Sequence, residues 1–222
     1  MIWQLIVIGI IAYLLGSVNL SILLCKAMGK GDIRDYGSGN AGTTNTLRTL
    51  GKGPAALVLA FDVLKAIIAV FLAKWLITLG QATNTDISLY KDLAMAIAGI
   101  AVILGHNFPI YYGFKGGKGI ATSLGVILTI EWQLGLVCLV FALLLMIITR
   151  MVSVGSITAA ILYPVLVLVQ GSAFSNKLVY IIFAILIALL AVYRHKSNIK
   201  RIFDGTENKL WKTKAEKKAD LK

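Results

Sequence analysis

The chain alternates between long runs that are almost free of charge and short polar stretches. The apolar runs cover residues 3 to 25, 54 to 80, 91 to 105, 119 to 149, 152 to 171 and 177 to 193. About 20 apolar residues carry a helix across the hydrocarbon core, and fewer suffice where protein surrounds it. The fourth run is too long for one crossing, since about 31 residues of straight helix reach roughly 46 Å. Glu131-Trp132-Gln133 sits near its middle, as an interfacial turn does. Division there predicts seven transmembrane helices, two of them short (91 to 105 and 119 to 130); one tilted helix over 119 to 149, with a later run only partly inserted, gives five. The expected fold class is all-α: a polytopic integral membrane helical bundle forming a single domain over 1–222, without internal repeats, with a basic, frayed tail at 210–222.

Charge orients this bundle. The 26 to 52 loop holds five basic residues against Asp32 and Asp35, the 106 to 118 loop holds Lys115 and Lys118, and Arg150 closes the fifth span. The 81 to 92 loop has Asp86 and Asp92 against Lys91 alone. Because Lys and Arg favour the cytoplasm, the pattern predicts the N-terminus outside, the C-terminus cytoplasmic and an odd number of crossings. The first run lacks a basic leader and a small-residue cleavage site, and reads as a retained span.

Of 222 residues, 58% are hydrophobic and only 14% charged, with mean hydropathy +0.84, which excludes an ordinary soluble domain. The net charge of +12 lies in the loops and the tail beside the apolar runs, so anionic lipid and anionic substrates, with no nucleic acid, are the expected partners. Cys25 and Cys138 sit in apolar runs without metal-ligand spacing and read as packing residues. A magnesium site needs several carboxylates together, and the acids near the basic face are too scattered; no metal and no cofactor are expected. There is no Ser-His-Asp order and no activated cysteine.

Three polar clusters carry the chemistry. Ser38-Gly39-Asn40-Ala41-Gly42-Thr43-Thr44-Asn45-Thr46-Leu47-Arg48 combines glycines that let backbone approach an anion, neutral hydrogen-bonding side chains, and the charged fork of Arg48. Lys115-Gly116-Gly117-Lys118-Gly119-Ile120-Ala121-Thr122 opens the fourth span, placing glycine amides and two lysines at a helix N-terminus; the alternative is a flexible membrane-edge turn. It is not a nucleotide-binding P-loop, because Gly119 stands where magnesium would need Ser or Thr. The third cluster runs from Arg194 to Arg201, with Gly205-Thr206-Glu207 after it, and spaces His195, Asn198 and Arg201 three apart on one helical side. It reads either as a substrate-facing surface or as a positive-inside anchor, the latter above all for Lys196 and Lys200. Asp62 is the one acid deep in the second span, as a functional group or as a structural ion pair with Lys65 or Arg48. His106-Asn107-Phe108-Pro109 ends the third span as a capped terminus or as a base.

At these three stretches the chain resembles the bacterial acyl-phosphate:glycerol-3-phosphate acyltransferase family over nearly its whole length. The matching patterns are Ser-Gly-Asn-x-Gly-Ala-Thr-Asn-x-x-Arg, Lys-Gly-Gly-Lys-Gly-x-Ala-Thr and Arg-His-x-x-Asn-Ile-x-Arg followed by Gly-x-Glu. The resemblance implies acyl transfer from acyl phosphate to the sn-1 hydroxyl of glycerol 3-phosphate, giving lysophosphatidic acid and phosphate at the cytoplasmic side of the cell membrane, the first step of phospholipid synthesis. It implies that Ser38 and Arg48, with Gly39, Asn40, Thr44 and Asn45, hold glycerol 3-phosphate. Lys118 with Gly116, Gly117 and Gly119 would hold the acyl phosphate, and His195, Asn198 and Arg201 would complete the pocket. Ser153 and Ser156 match a further family stretch. Thr43 replaces the usual Ala, and Asn19 and Ser21 replace the usual Pro and Gly, a change expected to straighten the first helix. The rival class is a carrier or lipid-binding protein for an organic phosphate, whose helices would show paired repeats and broken segments near the midplane.

Overall fold

The computed structural model describes residues 2–79, 87–170 and 175–211, so Asp86 and residues 212–222 of the expected tail lie outside the described residues. The described residues form ten α-helices: α1 Ile2–Ser17, α2 Leu20–Ala27, α3 Thr43–Leu50, α4 Lys52–Leu79, α5 Ile87–Asn107, α6 Ile120–Ile130, α7 Trp132–Thr149, α8 Val152–Gln170, α9 Lys177–Arg194 and α10 Lys196–Phe203. Among the described residues, six segments are long and apolar enough to cross a membrane: α1 with α2, α4, α5 with its following turn, α7, α8 and α9. α6 is a seventh, shorter apolar helix. The fourth run does divide at Glu131, which ends α6 and precedes α7 with its φ and ψ at −146° and 84°, outside helical values.

Burial is arranged as lipid demands. Large apolar side chains such as Trp3, Leu57, Phe71 and Leu144 face outward, while Asn19, Asp62, Lys65, His106 and Asn107 are enclosed. With no hydrophobic drive between helices in lipid, close contact comes from small residues. A side chain added at Gly16 of α1 would collide with the backbone of Val102 in α5, and one at Gly105 of α5 with the backbone of Tyr13 in α1. Gly125 lets α6 approach α4 at Val63 in the same way.

The first span is broken, contrary to the straightening expected from Asn19. α1 stops at Ser17, and the Asn19 side chain caps α2 by accepting from the Ile22 N–H at 3.2 Å. Its Nδ2 donates to the Ala41 carbonyl at 3.0 Å, tying the break to the first polar cluster. An Asn side chain competes with the backbone for hydrogen bonds, so it interrupts a helix where an aliphatic residue would continue it. The Gly16 and Val18 carbonyls at the break accept from Lys65 Nζ at 3.0 and 2.9 Å.

Candidate active site

All three polar clusters meet in one cavity of about 470 Å³, with a polar end and an apolar end. The first cluster forms a loop leading into α3. Asn45, buried on α3, accepts from the Ser38 N–H at 2.9 Å and donates to the Ile33 and Tyr36 carbonyls at 3.0 and 2.9 Å. Both hydrogens of its amide are held by the loop, so Asn45 shapes the loop that presents Ser38, and it also lines the cavity. Ser38, Asn40, Thr43, Thr44 and Arg48 line the cavity. Gly39 is not among the lining residues; its φ of 69° turns the loop instead.

The second cluster departs from the expected anion cradle. The N–H groups of Gly116 and Gly117 donate to the Asn107 and His106 carbonyls at 3.2 and 3.1 Å, which removes them as ligand donors. Their carbonyls accept from Arg194, whose Nη2 lies 3.2 Å from Gly116 O and 2.7 Å from Gly117 O and whose Nε lies 3.1 Å from Gly117 O. Arg194 stacks on Phe108 at 4.9 Å. From the first loop, Arg34 holds the Tyr112 and Lys115 carbonyls at 2.8 and 2.9 Å, steadied by its fork to Asp32. These clamps present Lys118 and the α6 N-terminus, where Gly119, Ile120 and Ala121 line the cavity. An α-helix leaves its first N–H groups without intrahelical partners, so this end keeps anion-binding character after Gly116 and Gly117 are discounted.

The third cluster completes the polar end around Glu207. This buried carboxylate accepts from Ser153 Oγ at 2.9 Å, Asn198 Nδ2 at 2.7 Å and Arg201 Nε at 2.8 Å. Asn198 Oδ1 in turn accepts from Lys118 Nζ. Asn198 therefore joins the helix α10 side expected from the three-residue spacing to the Lys118 loop. Ser156 lines the cavity beside Ser153, whereas Arg201 stands behind Glu207 and is not among the lining residues. Sequence reasoning passed over Glu207 and Arg194 as site-building residues. The available signal was an acid, one of the pair Asp204 and Glu207, at the end of a basic cluster, and an arginine closing a span.

Electrostatics follow from this crowding. Burial, reinforced by Arg201, Arg194 and Arg48, brings the Lys118 ammonium down to about 8 against the pull of Glu207. Burial lowers Arg48 as well, with Glu207 opposing. Burial takes His195 down to about 4, helped by Lys118 and Arg194, so its imidazole is neutral at physiological pH. His195 Nδ1 lies 2.7 Å from the Ala191 carbonyl. A carbonyl only accepts, so Nδ1 carries the proton and Nε2 keeps its lone pair. The site thus offers cations for phosphate, a neutral acceptor nitrogen and an adjoining apolar space.

The profile of the family described as glycerol-3-phosphate acyltransferase matches residues 6–205. A glycerol-3-phosphate acyltransferase of Shouchella clausii is 46% identical over 97% of this chain and 100% of its own length. One from Thermoanaerobacter pseudethanolicus is 45% identical over 91% and 93%. Among solved structures, the glycerol 3-phosphate form of PlsY (YgiH), an integral membrane glycerol 3-phosphate acyltransferase, superposes with a TM-score of 0.80 at 35% identity, covering 93% of this chain and 96% of that one. Its lysophosphatidic acid form gives 0.78 at 34% identity, covering 93% and 95%. The chain belongs to the glycerol-3-phosphate acyltransferase family of integral membrane enzymes.

Proposed function

We propose that this protein transfers a fatty acyl group from acyl phosphate to the sn-1 hydroxyl of glycerol 3-phosphate at the cytoplasmic face of a bacterial cell membrane, releasing lysophosphatidic acid and phosphate. The observation that carries the reading is one cavity with a cationic end at Arg48 and Lys118 and an apolar end walled by Leu124, Ile127, Cys138, Ala142, Tyr163 and Ile187. That division matches a substrate with a phosphate head and a hydrocarbon tail. Leu59 of α4 and Leu143 of α7 line the same cavity and are 44% and 48% exposed, so the tail enters from membrane lipid between these helices. Relatives crystallised in glycerol 3-phosphate and lysophosphatidic acid forms supply the second substrate and the product by analogy.

In this reading Ser38 and Arg48, with Asn40 and Thr44, hold glycerol 3-phosphate. Lys118, Gly119 and Asn198, with Ser153 and Ser156 beside them, hold the acyl phosphate. The hydroxyl oxygen attacks the acyl carbonyl carbon, the bond from that carbon to the phosphate oxygen breaks, and the hydroxyl proton ends on the departing phosphate. His195 Nε2 accepts a hydrogen bond from the hydroxyl and orients it. With a proton affinity as low as about 4, His195 is a weak base, which favours phosphate as the final acceptor. Acyl phosphate is already an activated anhydride, so alignment and charge neutralisation provide the catalysis without an acyl-enzyme. The bundle crosses the membrane seven times, with α6 as the short crossing and the N-terminus outside, as one domain over 1–222.

The test is the purified protein in lipid nanodiscs given acyl phosphate and labelled glycerol 3-phosphate, with a chelator and without CoA. Labelled lysophosphatidic acid is expected. Uptake of label into vesicles with no new product identifies a carrier and ends this proposal.

A further inference from the structure

The chain has two histidines, His106 and His195, and both line the cavity. Their hydrogen-bond partners are of opposite kinds. His195 Nδ1 faces a carbonyl, an acceptor. His106 Nδ1 faces the Lys65 ammonium at 3.1 Å, which has only hydrogens to give.

The surroundings of Lys65 sharpen the contrast. Its side chain is 1% exposed, and its Nζ reaches the Gly16 carbonyl at 3.0 Å, the Val18 carbonyl at 2.9 Å and His106 Nδ1 at 3.1 Å. Three hydrogens thus meet three acceptors. Asp62 Oδ1 is 2.9 Å from Nζ and 3.3 Å from His106 Nδ1, the charge partner of the group, nearer to the ammonium than to the ring. A proton on Nδ1 would point at an ammonium already in place. The ammonium is the nearer of the two groups facing Nδ1, and a lone pair turned toward it leaves the ring proton on Nε2. That nitrogen lies against Gly117, where an added side chain would overlap it, beside the backbone that presents Lys118.

We propose that His106 is a substrate-contacting residue of the neutral Nε2–H form, donating a hydrogen bond to a phosphate oxygen held at Lys118, and that Lys65 is the positioning residue that fixes this tautomer. The two histidines then divide the work: His195 presents a lone pair to the hydroxyl, and His106 presents a hydrogen to the phosphate. The helix break at Asn19 belongs to the device, because it frees the Gly16 and Val18 carbonyls that hold Lys65 in place. The identity of the bound phosphate rests on the acyltransferase reading above; the tautomer does not.

The experiment is nitrogen-15 NMR of the full chain in nanodiscs with labelled histidine, assigned with His195→Gln. Expected are two neutral rings, His195 protonated at Nδ1 and His106 at Nε2. The His106 Nε2 proton is expected to move downfield when inorganic phosphate or glycerol 3-phosphate is added. A His106 ring protonated at Nδ1, or at both nitrogens, overturns the tautomer; an Nε2 proton indifferent to saturating phosphate overturns the contact. These readings need no core variant and no turnover, so they fail separately from the acyl-transfer assay. Activity gives a further check. His106→Gln, whose amide reaches the Nε2 position, is expected to keep kcat/KM within about tenfold, and His106→Ala to lose about a hundredfold, the cost of one preorganised donor. Retention by Asn, whose amide mimics Nδ1, equal to or better than by Gln contradicts the assignment.

Discussion

Glu207 joins charge and packing at the polar end of the cavity, and replacing it separates these roles. In Glu207→Ala, Ser153, Asn198 and Arg201 all lose their acceptor. The Arg201 side chain is 30% exposed, so its pairing contributes only about 1 kcal/mol. Two buried neutral donors left without a partner add about 1–3 kcal/mol each. The sum, about 3–7 kcal/mol, lowers the thermal midpoint in detergent by roughly 10–20 °C. Glu207→Gln keeps the shape and an acceptor oxygen but removes the charge. The Glu207 carboxylate raises the proton affinity of Lys118, which otherwise falls through burial and neighbouring arginines. Without it the ammonium is lost at a lower pH than the native value of about 8. In the proposed reading phosphate binding needs that ammonium, so native kcat/KM is expected to fall as pH rises through about 8. The Gln variant shows the same decline displaced toward acid, with the larger deficit at pH above about 7. Lysophosphatidic acid formation measured across pH tests this. An alkaline limb unmoved or displaced upward in Glu207→Gln would falsify the electrostatic account of Lys118.

Other perturbations probe the remaining parts. Gly117→Ala places a methyl where His106 Nε2 and the Ala41 carbonyl already stand, and is expected to cost about a hundredfold in kcat/KM by shifting Lys118, with the helical signal in circular dichroism retained. Arg194→Lys cannot reproduce the fork on Gly116 and Gly117; kinetic assays should show a raised KM for acyl phosphate. Ala188→Phe fills the apolar end, so turnover with long-chain acyl phosphate should drop while glycerol 3-phosphate binding, followed by calorimetry, persists. Asn19→Leu removes the α2 cap and the tie to Ala41, costing about 1–2 kcal/mol in thermal unfolding.

Much of the architecture was legible because a bilayer imposes a simple length and charge code. The helix break at Glu131 followed from a run too long for the membrane with a polar triplet at its centre, and the three polar clusters meet in one cavity. What escaped depends on partners distant in sequence. Asn19 interrupts α1 because Ala41 and Lys65 receive the groups that the break exposes, and no local pattern announces either partner. The glycines before Lys118 read as anion donors, yet the end of α5 takes their N–H groups. Asn45, read as a ligand contact, lines the cavity and also binds three backbone groups of the loop, partners that no local pattern announces. Asp62 proves to pair with Lys65, one of the alternatives open at the sequence level, and the structure adds His106 to that pair.

The central claim is that two phosphorylated substrates occupy one cavity together and react directly. Initial velocities measured while both acyl phosphate and glycerol 3-phosphate are varied test it most plainly. Double-reciprocal lines that intersect, with no hydroxylamine-trappable acyl group on the protein, are the predicted result; parallel lines with a trapped acyl-enzyme contradict it.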